Sequence, residues 1–241
     1  MGETEKYLWG RVYSHARFLQ AAPFVEMLAV CNNLAFGTVN KESDIDLFII
    51  AKKGRIFTAR IFVTFLLQIL RVRRYGNKIF GRFCLSFFVD EGAMDLSKIA
   101  IKNDIYLAYW IKSMLPVIDD EIDEKFIYEN GWIKNYFDDG KLELDKSKII
   151  KKIFIFSVFK GFFEFLLSGG FGNFIEKKLK KWQMHRAKKK ASMLGDEASI
   201  LISDHMLKFH NVDKRKFYRD LWIEKYGDAK ISKEKFILLF S

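Results

Sequence analysis

Proline and cysteine are scarce in this sequence. It has two of each among 241 residues, and neither Cys31 nor Cys84 belongs to a Cys-x-x-Cys pair or a cysteine–histidine spacing. The low proline content argues against a disordered or fibrous protein, and the isolated cysteines argue against a disulfide framework or a structural zinc site. Because the first residues also lack a signal-peptide core, we expect a cytoplasmic protein.

The motifs of several enzyme classes are also absent. The four histidines lie far apart, and no Gly-x-Ser-x-Gly or Walker-type pattern occurs, so hydrolase and kinase functions are not favoured. Lys160 and Glu164 interrupt the most aromatic stretch, whereas a membrane span needs about 20 consecutive apolar residues. Association of residues 148–190 with a membrane surface, suggested by their mixed aromatic and basic composition, is the less favoured interpretation.

Hydrophobic residues make up 50% of the chain and include 25 phenylalanines, enough to form a buried core. Three strand-like apolar runs precede residue 100, at residues 26–36, 44–51 and 82–89. Only helical patterns follow Pro116, interrupted by a glycine cluster at residues 169–172. We therefore predict an α/β (α+β) fold, with a small mixed β-sheet domain at residues 1–100 and an all-helical domain at residues 101–241.

The net charge of +11 is unevenly distributed. Residues 51–82 hold nine lysines and arginines and no acid, and residues 176–190 hold eight with one glutamate. Such local excesses predict an anionic partner more strongly than an evenly basic surface would. The alternative is that these cations only solvate the outer faces of helices.

Two aspartates mark the candidate catalytic site. Asp44 and Asp46 are two residues apart at the start of a predicted strand, so alternation along the strand points both carboxylates to the same face. Two such carboxylates repel unless a cation lies between them, and Mg²⁺ takes carboxylate oxygens together with substrate phosphates. The pattern predicts a magnesium site. The alternative is that Asp44 forms a turn and Asp46 is solvated.

The Ser-Asp-Ile-Asp segment that ends at Asp46, together with the apolar residues 47–50, resembles the signature of a known superfamily. These are the nucleotidyltransferases to which DNA polymerase beta belongs, in particular the small bacterial members. The resemblance covers about residues 25–95. It implies Mg²⁺-dependent transfer of a nucleoside monophosphate from an NTP to an acceptor, with release of pyrophosphate. The acceptor stays open between a small molecule, an RNA and a protein.

The resemblance also implies further site residues. The Gly-Ser pair of the superfamily falls on two asparagines here, and asparagine is able to adopt the positive φ of the missing glycine. The residues expected to face the phosphates are Asn32, Asn33, Thr38 and Ser43. Asp90 is the best match for the third carboxylate, which acts as metal ligand and general base. Its alternative role is that of a turn residue in the Asp-Glu-Gly sequence that it begins.

The replaced Gly-Ser pair and the missing mid-strand acid motivate a second hypothesis, a non-catalytic member that binds nucleotide or RNA. RNA contacts would come from residues 177–190 and 51–82, whose cations would release counterions on binding phosphates. Leu179 and Trp182 are expected to dock the basic helix on the protein and leave its cations outward. Those cations are Lys177, Lys178, Lys180, Lys181, Arg186, Lys188, Lys189 and Lys190.

Overall fold

Six β-strands form one mixed sheet in this protein, whose structure is a computed structural model. It describes residues 1–138, 142–194, 199–210 and 213–240, and the side chains of all of these except 187–194, 199, 200 and 210. The strands are β1 (Val25–Cys31), β2 (Ile45–Ala51), β3 (Phe83–Asp90), β4 (Leu115–Asp119), β5 (Ser199–Ile202) and β6 (Met206–His210). They lie in the order β4-β1-β2-β3-β6-β5, so the predicted mixed α/β fold is confirmed.

Helices cover both faces of this sheet. The described α-helices are α1 (Glu3–Leu19), α2 (Asn32–Phe36), α3 (Ile56–Ile69), α4 (Ile105–Lys112), α5 (Asp123–Glu129), α6 (Phe154–Leu166), α7 (Gly169–Leu194), α8 (Arg215–Tyr226) and α9 (Lys233–Ile237). Short 3₁₀ turns occur at Leu96–Ile99, Gly131–Tyr136 and Lys146–Lys148. The helix α3 connects β2 to β3, which run parallel, because parallel neighbours need such a crossover.

The strand β2 is buried on both faces, which explains its continuous apolar run. Phe48 packs against Trp110 of α4 and Phe126 of α5, with ring centroids 5.3 and 5.4 Å apart. Ile49, on the opposite face, belongs to a second cluster that includes Val63 of α3. Burial of each such side chain contributes about 1.5–3 kcal/mol. The position of β2 is therefore fixed from both sides of the sheet.

The prediction that the chain beyond residue 100 is all helical is wrong. Three of the six strands lie there and complete the sheet begun by the first half of the chain. Pro116 lies in β4 at the edge of the sheet, where a residue without an N–H is tolerated. β5 and β6 form an antiparallel pair beside β3 within the domain expected to be all helical. A short apolar run does not by itself distinguish helix from strand.

The glycine cluster produces a sharp corner between α6 and α7, as the sequence predicts. Gly169 has φ +61°, and a Cβ atom on Gly172 would lie 1.6 Å from the carbonyl oxygen of Leu167. A side chain at Gly172 is therefore excluded by the backbone itself. Among the described residues, no single helix has the length and apolar character of a membrane span; α6 and α7 pass that test only as a pair, which is bent by 93°.

Glu176 attaches α7 to α3. Its buried carboxylate accepts hydrogen bonds from the backbone N–H groups of Phe57 and Thr58, each at 2.9 Å, and from the Thr58 hydroxyl. These N–H groups belong to the first turn of α3 and have no partner within the helix. A negative charge at this end also interacts favourably with the helix dipole. Two turns further along α7, Gln183 donates to the carbonyl oxygen of Phe57 at 2.8 Å.

The predicted docking residues of α7 are only partly right. Leu179 is partly buried, but Trp182 is 46% exposed, and the buried side chains on the inward side of this helix include Glu176 and Gln183. Polar residues take the inward positions because they bond to backbone groups at the start of α3. An apolar pattern alone does not reveal such a contact.

Replacement of Glu176 by alanine should destabilise the protein by about 1–3 kcal/mol, because two buried N–H groups and a hydroxyl lose their acceptor. Glu176→Gln keeps an acceptor oxygen and should cost less. Urea unfolding followed by circular dichroism measures both effects, with exposed Lys181→Ala as the matched control on α7. Equal stability of Glu176→Ala and the control would contradict the role given to this carboxylate.

Candidate active site

Asp44 and Asp46 lie side by side at the start of β2. Asp46 is the second residue of β2, and Asp44 is the residue before the strand begins. Alternation along the chain therefore places both carboxylates on one face. Cys84, on the parallel strand β3, is the register partner of Asp46. One ligand atom from each of these three residues lies within 4.8 Å of the others. The structure thus brings the predicted acidic pair together at the edge of an open cavity.

Asn32 and Arg74 bind the two carboxylates. Asn32 has φ +56°, the left-handed conformation expected at the position of the missing glycine, and its Nδ2 donates to Oδ2 of Asp46 at 2.9 Å. Nη1 of Arg74 lies 2.6 Å from Oδ2 of Asp44. The guanidinium thus offsets part of the negative charge of the pair. It has to leave that oxygen free before a metal ion is able to bind there.

The environment of Asp46 favours its protonated form. Burial and the negative charge of Asp44 raise the pKa of Asp46 to about 6, while the hydrogen bond from Asn32 and the charge of Arg74 act in the opposite direction. The ordinary pKa of an aspartate is near 4. At neutral pH the carboxylate is nonetheless ionised and available as a ligand. A divalent cation bound between the two aspartates would relieve their repulsion.

Cys84, and not the predicted Asp90, is the residue of β3 that lies beside the acidic pair. Burial, together with the charges of Asp46 and Asp44, raises the pKa of the Cys84 thiol far above its ordinary value. The group is therefore a neutral thiol at physiological pH and offers Mg²⁺ no hard oxygen ligand. Sequence reasoning missed this residue because Cys84 stands in an apolar run with no metal-ligand spacing.

The acidic pair opens into a cavity of about 770 Å³ between the sheet, α3 and α7. Three of its lining residues are arginines that form no ion pair with Asp44 or Asp46 among the described contacts: Arg60 on α3, Arg73 before β3 and Arg186 on α7. Arg60 donates to Oε1 of Gln183 at 2.7 Å, but its Nε is buried without a hydrogen-bond partner. Burial and the charges of Arg73 and Arg186 lower the pKa of Arg60 to about 10. The cavity therefore holds closely spaced positive charges.

Both segments predicted to be basic contribute to this wall. Arg60, Arg73 and Arg74 come from residues 51–82, and Arg186 comes from residues 177–190. The side chains of Lys188, Lys189 and Lys190 lie outside the described residues. Arg186 also lies over the ring of Trp182, at 5.2 Å from its centroid, and both side chains line the cavity.

Three predicted phosphate contacts are placed elsewhere. Asn33 is exposed, and its carbonyl oxygen accepts from the N–H of Thr38 at 2.9 Å. The Thr38 hydroxyl is buried without a partner. Ser43 accepts from the N–H of Asn40 at 2.9 Å and so closes the turn before β2. Asn33, Thr38 and Ser43 are not among the described residues that line the cavity, whereas Asn32 is.

Asp90 does not join the acidic pair. It is the register partner of Ala51 at the far end of β2, about 16 Å along the strand from Asp46 at 3.3 Å per residue. Its fully buried carboxylate accepts from the N–H groups of Gly54 and Gly92, and Nδ1 of His205 lies 2.9 Å away. The assignment of Asp90 as third ligand and base is therefore replaced by its alternative, a turn residue. The sequence does not reveal the irregularity in β3 between Cys84 and Phe87, which places Asp90 beside Ala51 on the face of the sheet opposite Asp46.

A smaller cavity of about 190 Å³ shares Asn32 with the acidic site. Its walls include the aromatic side chains of Phe87, Tyr106 and Trp110, with Arg215 at the polar side. Aromatic walls of this kind favour stacking of flat heterocycles. The site thus joins an acidic pair, a basic wall and an aromatic recess.

No family model matches the chain, and neither a curated protein nor a solved structure does. The roles of the cavity residues therefore rest on their geometry and chemistry.

The raised pKa of Asp46 predicts a pH-dependent difference between the protein and Asp46→Asn in a metal-free buffer. Because the pKa of Asp46 is higher in the folded than in the unfolded protein, protonation of this carboxyl favours the folded state. The stability that it contributes is fully present below about pH 4 and is lost as the pH rises through about 6. The asparagine variant does not titrate there, so its melting temperature relative to wild type should rise between pH 4 and pH 7. Thermal unfolding in EDTA measures this, with exposed Asp228→Asn as the control. A difference that stays constant over this range would contradict the assignment.

Proposed function

We propose that the protein is a Mg²⁺-dependent nucleotidyltransferase that transfers a nucleoside monophosphate from an NTP to an acceptor. The observation that carries this proposal is the convergence of Asp44 and Asp46 with three arginines on one cavity. Carboxylates are the ligands that hard divalent cations prefer, and guanidinium groups suit phosphate oxygens. A triphosphate with its metal ion matches both sets of charges at once.

The donor set fits Mg²⁺. This ion is commonly held by one or two carboxylates and completes its coordination with water and substrate phosphates, so the neutral Cys84 thiol need not take part. When bound, Mg²⁺ would neutralise phosphate charge and lower the pKa of the attacking hydroxyl. Asp44 and Asp46 would hold it, and the hydrogen bond from Asn32 would orient the Asp46 carboxylate.

The arginines would bind the triphosphate and orient it for attack. The acceptor oxygen forms a bond to the α-phosphorus, the bond to pyrophosphate breaks, and the acceptor proton passes to solvent. Arg60, Arg73 and Arg186 would hold the leaving pyrophosphate, whose negative charge grows during the step. The neighbouring aromatic recess, reached past Asn32, would take the base of the nucleotide.

Asp44→Asn and Asp46→Asn should each lower pyrophosphate release by more than about 100-fold, because loss of even an outer-shell partner of a metal ligand costs about 10- to 100-fold. The assay uses each of the four NTPs with Mg²⁺ and with RNA or aminoglycoside acceptors. Exposed Asp228→Asn is the matched control and should keep wild-type activity. Full activity of either cavity variant, with the fold intact by circular dichroism, would contradict the proposal.

A second candidate function is nucleotide or RNA binding without catalysis. Two observations favour it: the third residue of the cluster is Cys84 and not a carboxylate, and Arg74 pairs with Asp44. Such a protein would be stabilised thermally by NTPs but would release no pyrophosphate. RNA contacts by residues 51–82 and 177–190 are expected under this hypothesis, and they are also expected if the protein is an enzyme whose acceptor is RNA.

Loss of one cavity arginine should weaken NTP binding in either case. A charge-assisted hydrogen bond contributes about 1.5–3 kcal/mol, so Arg73→Gln or Arg186→Gln should raise the dissociation constant about 10- to 100-fold. Isothermal titration calorimetry with NTP and Mg²⁺ measures this, and exposed Arg17→Gln on α1 is the matched control. Unchanged NTP affinity in both cavity variants would contradict the proposal that these arginines bind the phosphates.

A further inference from the structure

The helix α6 is amphipathic, but its charged residues face the protein and its apolar face is exposed. Lys160 donates to the carbonyl oxygen of Val25 at 2.6 Å and forms an ion pair with Asp120. On the same side, Glu164 accepts from the N–H of Phe24 at 2.7 Å. The helix is therefore attached to the protein through polar and charged groups.

Two aromatic contacts complete this inner side. Phe156 lies against Phe18 of α1, with centroids 5.6 Å apart, and Phe163 lies against Phe62 of α3 at 5.2 Å. None of the 13 residues of α6 is fully buried. The remaining large side chains have no comparable cover from the described part of the chain.

These side chains form a continuous apolar face, which we call the phenylalanine face. Its members on α6 recur at helical spacing, and each is 48–81% exposed: Phe154, Ile155, Val158, Phe159, Phe162, Phe165 and Leu166. Phe171 and Phe174 follow at the start of α7 and are just over half exposed. A surface helix of a globular protein ordinarily turns such a stripe toward the core. Contiguous exposed apolar surface of this kind marks a site of interaction.

Cations border the phenylalanine face. Lys151 stands before α6 and is exposed, and Lys177, Lys178 and Lys181 are exposed on the turns of α7 that follow Phe174. The ammonium group of Lys178 lies 5.3 Å from the centroid of the Phe174 ring. The partner must therefore present an apolar region into which the phenylalanines insert, with negative charge beside it.

We infer that the phenylalanine face docks on the surface of a lipid bilayer that contains anionic lipids. At 1.5 Å per residue, α6 is about 20 Å long, which is shorter than the hydrocarbon core of about 30 Å. The sharp corner between α6 and α7, at residues 167–168, turns the chain away after this length. The helix therefore lies in the plane of the interface, with its phenylalanines in the acyl region and the lysines at the headgroups.

The bordering charges favour this partner over a second copy of the chain. Two copies packed through the phenylalanine face would bring lysines of one near lysines of the other, at an energetic cost, whereas an anionic bilayer supplies the opposite charge. The phosphates of an RNA would pair with the lysines, but RNA offers no apolar environment in which the nine apolar side chains could be buried. The inference does not depend on the proposed enzymatic function.

Co-flotation of the full chain with vesicles tests the inference. We expect binding to phosphatidylcholine vesicles with 30% phosphatidylserine and much weaker binding to phosphatidylcholine alone. The triple variant Lys177→Gln, Lys178→Gln, Lys181→Gln should bind the anionic vesicles on the order of 100-fold more weakly, since each lysine near such a surface contributes about 1 kcal/mol. Phe162→Glu with Phe165→Glu should abolish binding and, as both residues are exposed, leave the circular dichroism spectrum unchanged.

Two control variants show whether lipid binding belongs to the phenylalanine face itself. Tyr128→Glu changes an aromatic residue that is 86% exposed on α5, away from the face, and should bind as wild type does. Asp46→Asn should also bind normally, so a failed activity assay leaves the lipid result intact. No flotation of the wild type at low salt would overturn the inference. It would also be overturned if the phenylalanine variant lost only self-association in sedimentation, or if the lysine variant lost only RNA binding.

Discussion

The buried carboxylate of Glu176 is the contact on which the arrangement of the cavity depends. It binds the free N–H groups at the start of α3 and so holds α7 across that helix. Because Arg60 lies on α3 and Arg186 on α7, this contact, together with the hydrogen bonds of Gln183, brings their guanidinium groups to one cavity with the two aspartates. It also holds the N-terminal part of α7, which follows the corner after α6, against α3. A capping interaction that is local on α3 thus has consequences at both ends of α7.

The charged forms of both the acidic and the basic side chains in the cavity are destabilised by burial and by neighbours of like charge. Burial and a like neighbour raise the pKa of Asp46, while burial and like neighbours lower the pKa of Arg60. Each group would be stabilised by an added charge of opposite sign. A metal ion with a polyphosphate would supply both signs together, so this geometry suits the proposed nucleotide both with and without catalysis. The ion pair of Arg74 with Asp44 already compensates part of the negative charge within the protein.

The phenylalanine face and the cavity share one helix. Phe171 and Phe174 stand near the beginning of α7, and Arg186 lies about three turns beyond Phe174 along the same helix. A bilayer bound at one end would therefore hold the cavity at a defined distance from the membrane surface. Polar attachment of α6 through Lys160 and Glu164 makes this possible, because it leaves the apolar side of the helix free of the protein core.

The sequence by itself determined the local features of this protein. The alternation at Asp44 and Asp46, the left-handed asparagine at position 32 and the glycine corner before α7 depend on neighbouring residues, so they were readable from the chain. Tertiary structure decided which distant residues meet. Cys84 rather than Asp90 lies opposite Asp46 because strand register, set by packing across the whole sheet, has no local signal. For the same reason the pairing of β5 with β6 beside β3, and the outward turn of the α6 phenylalanines, emerged only when the chain was folded.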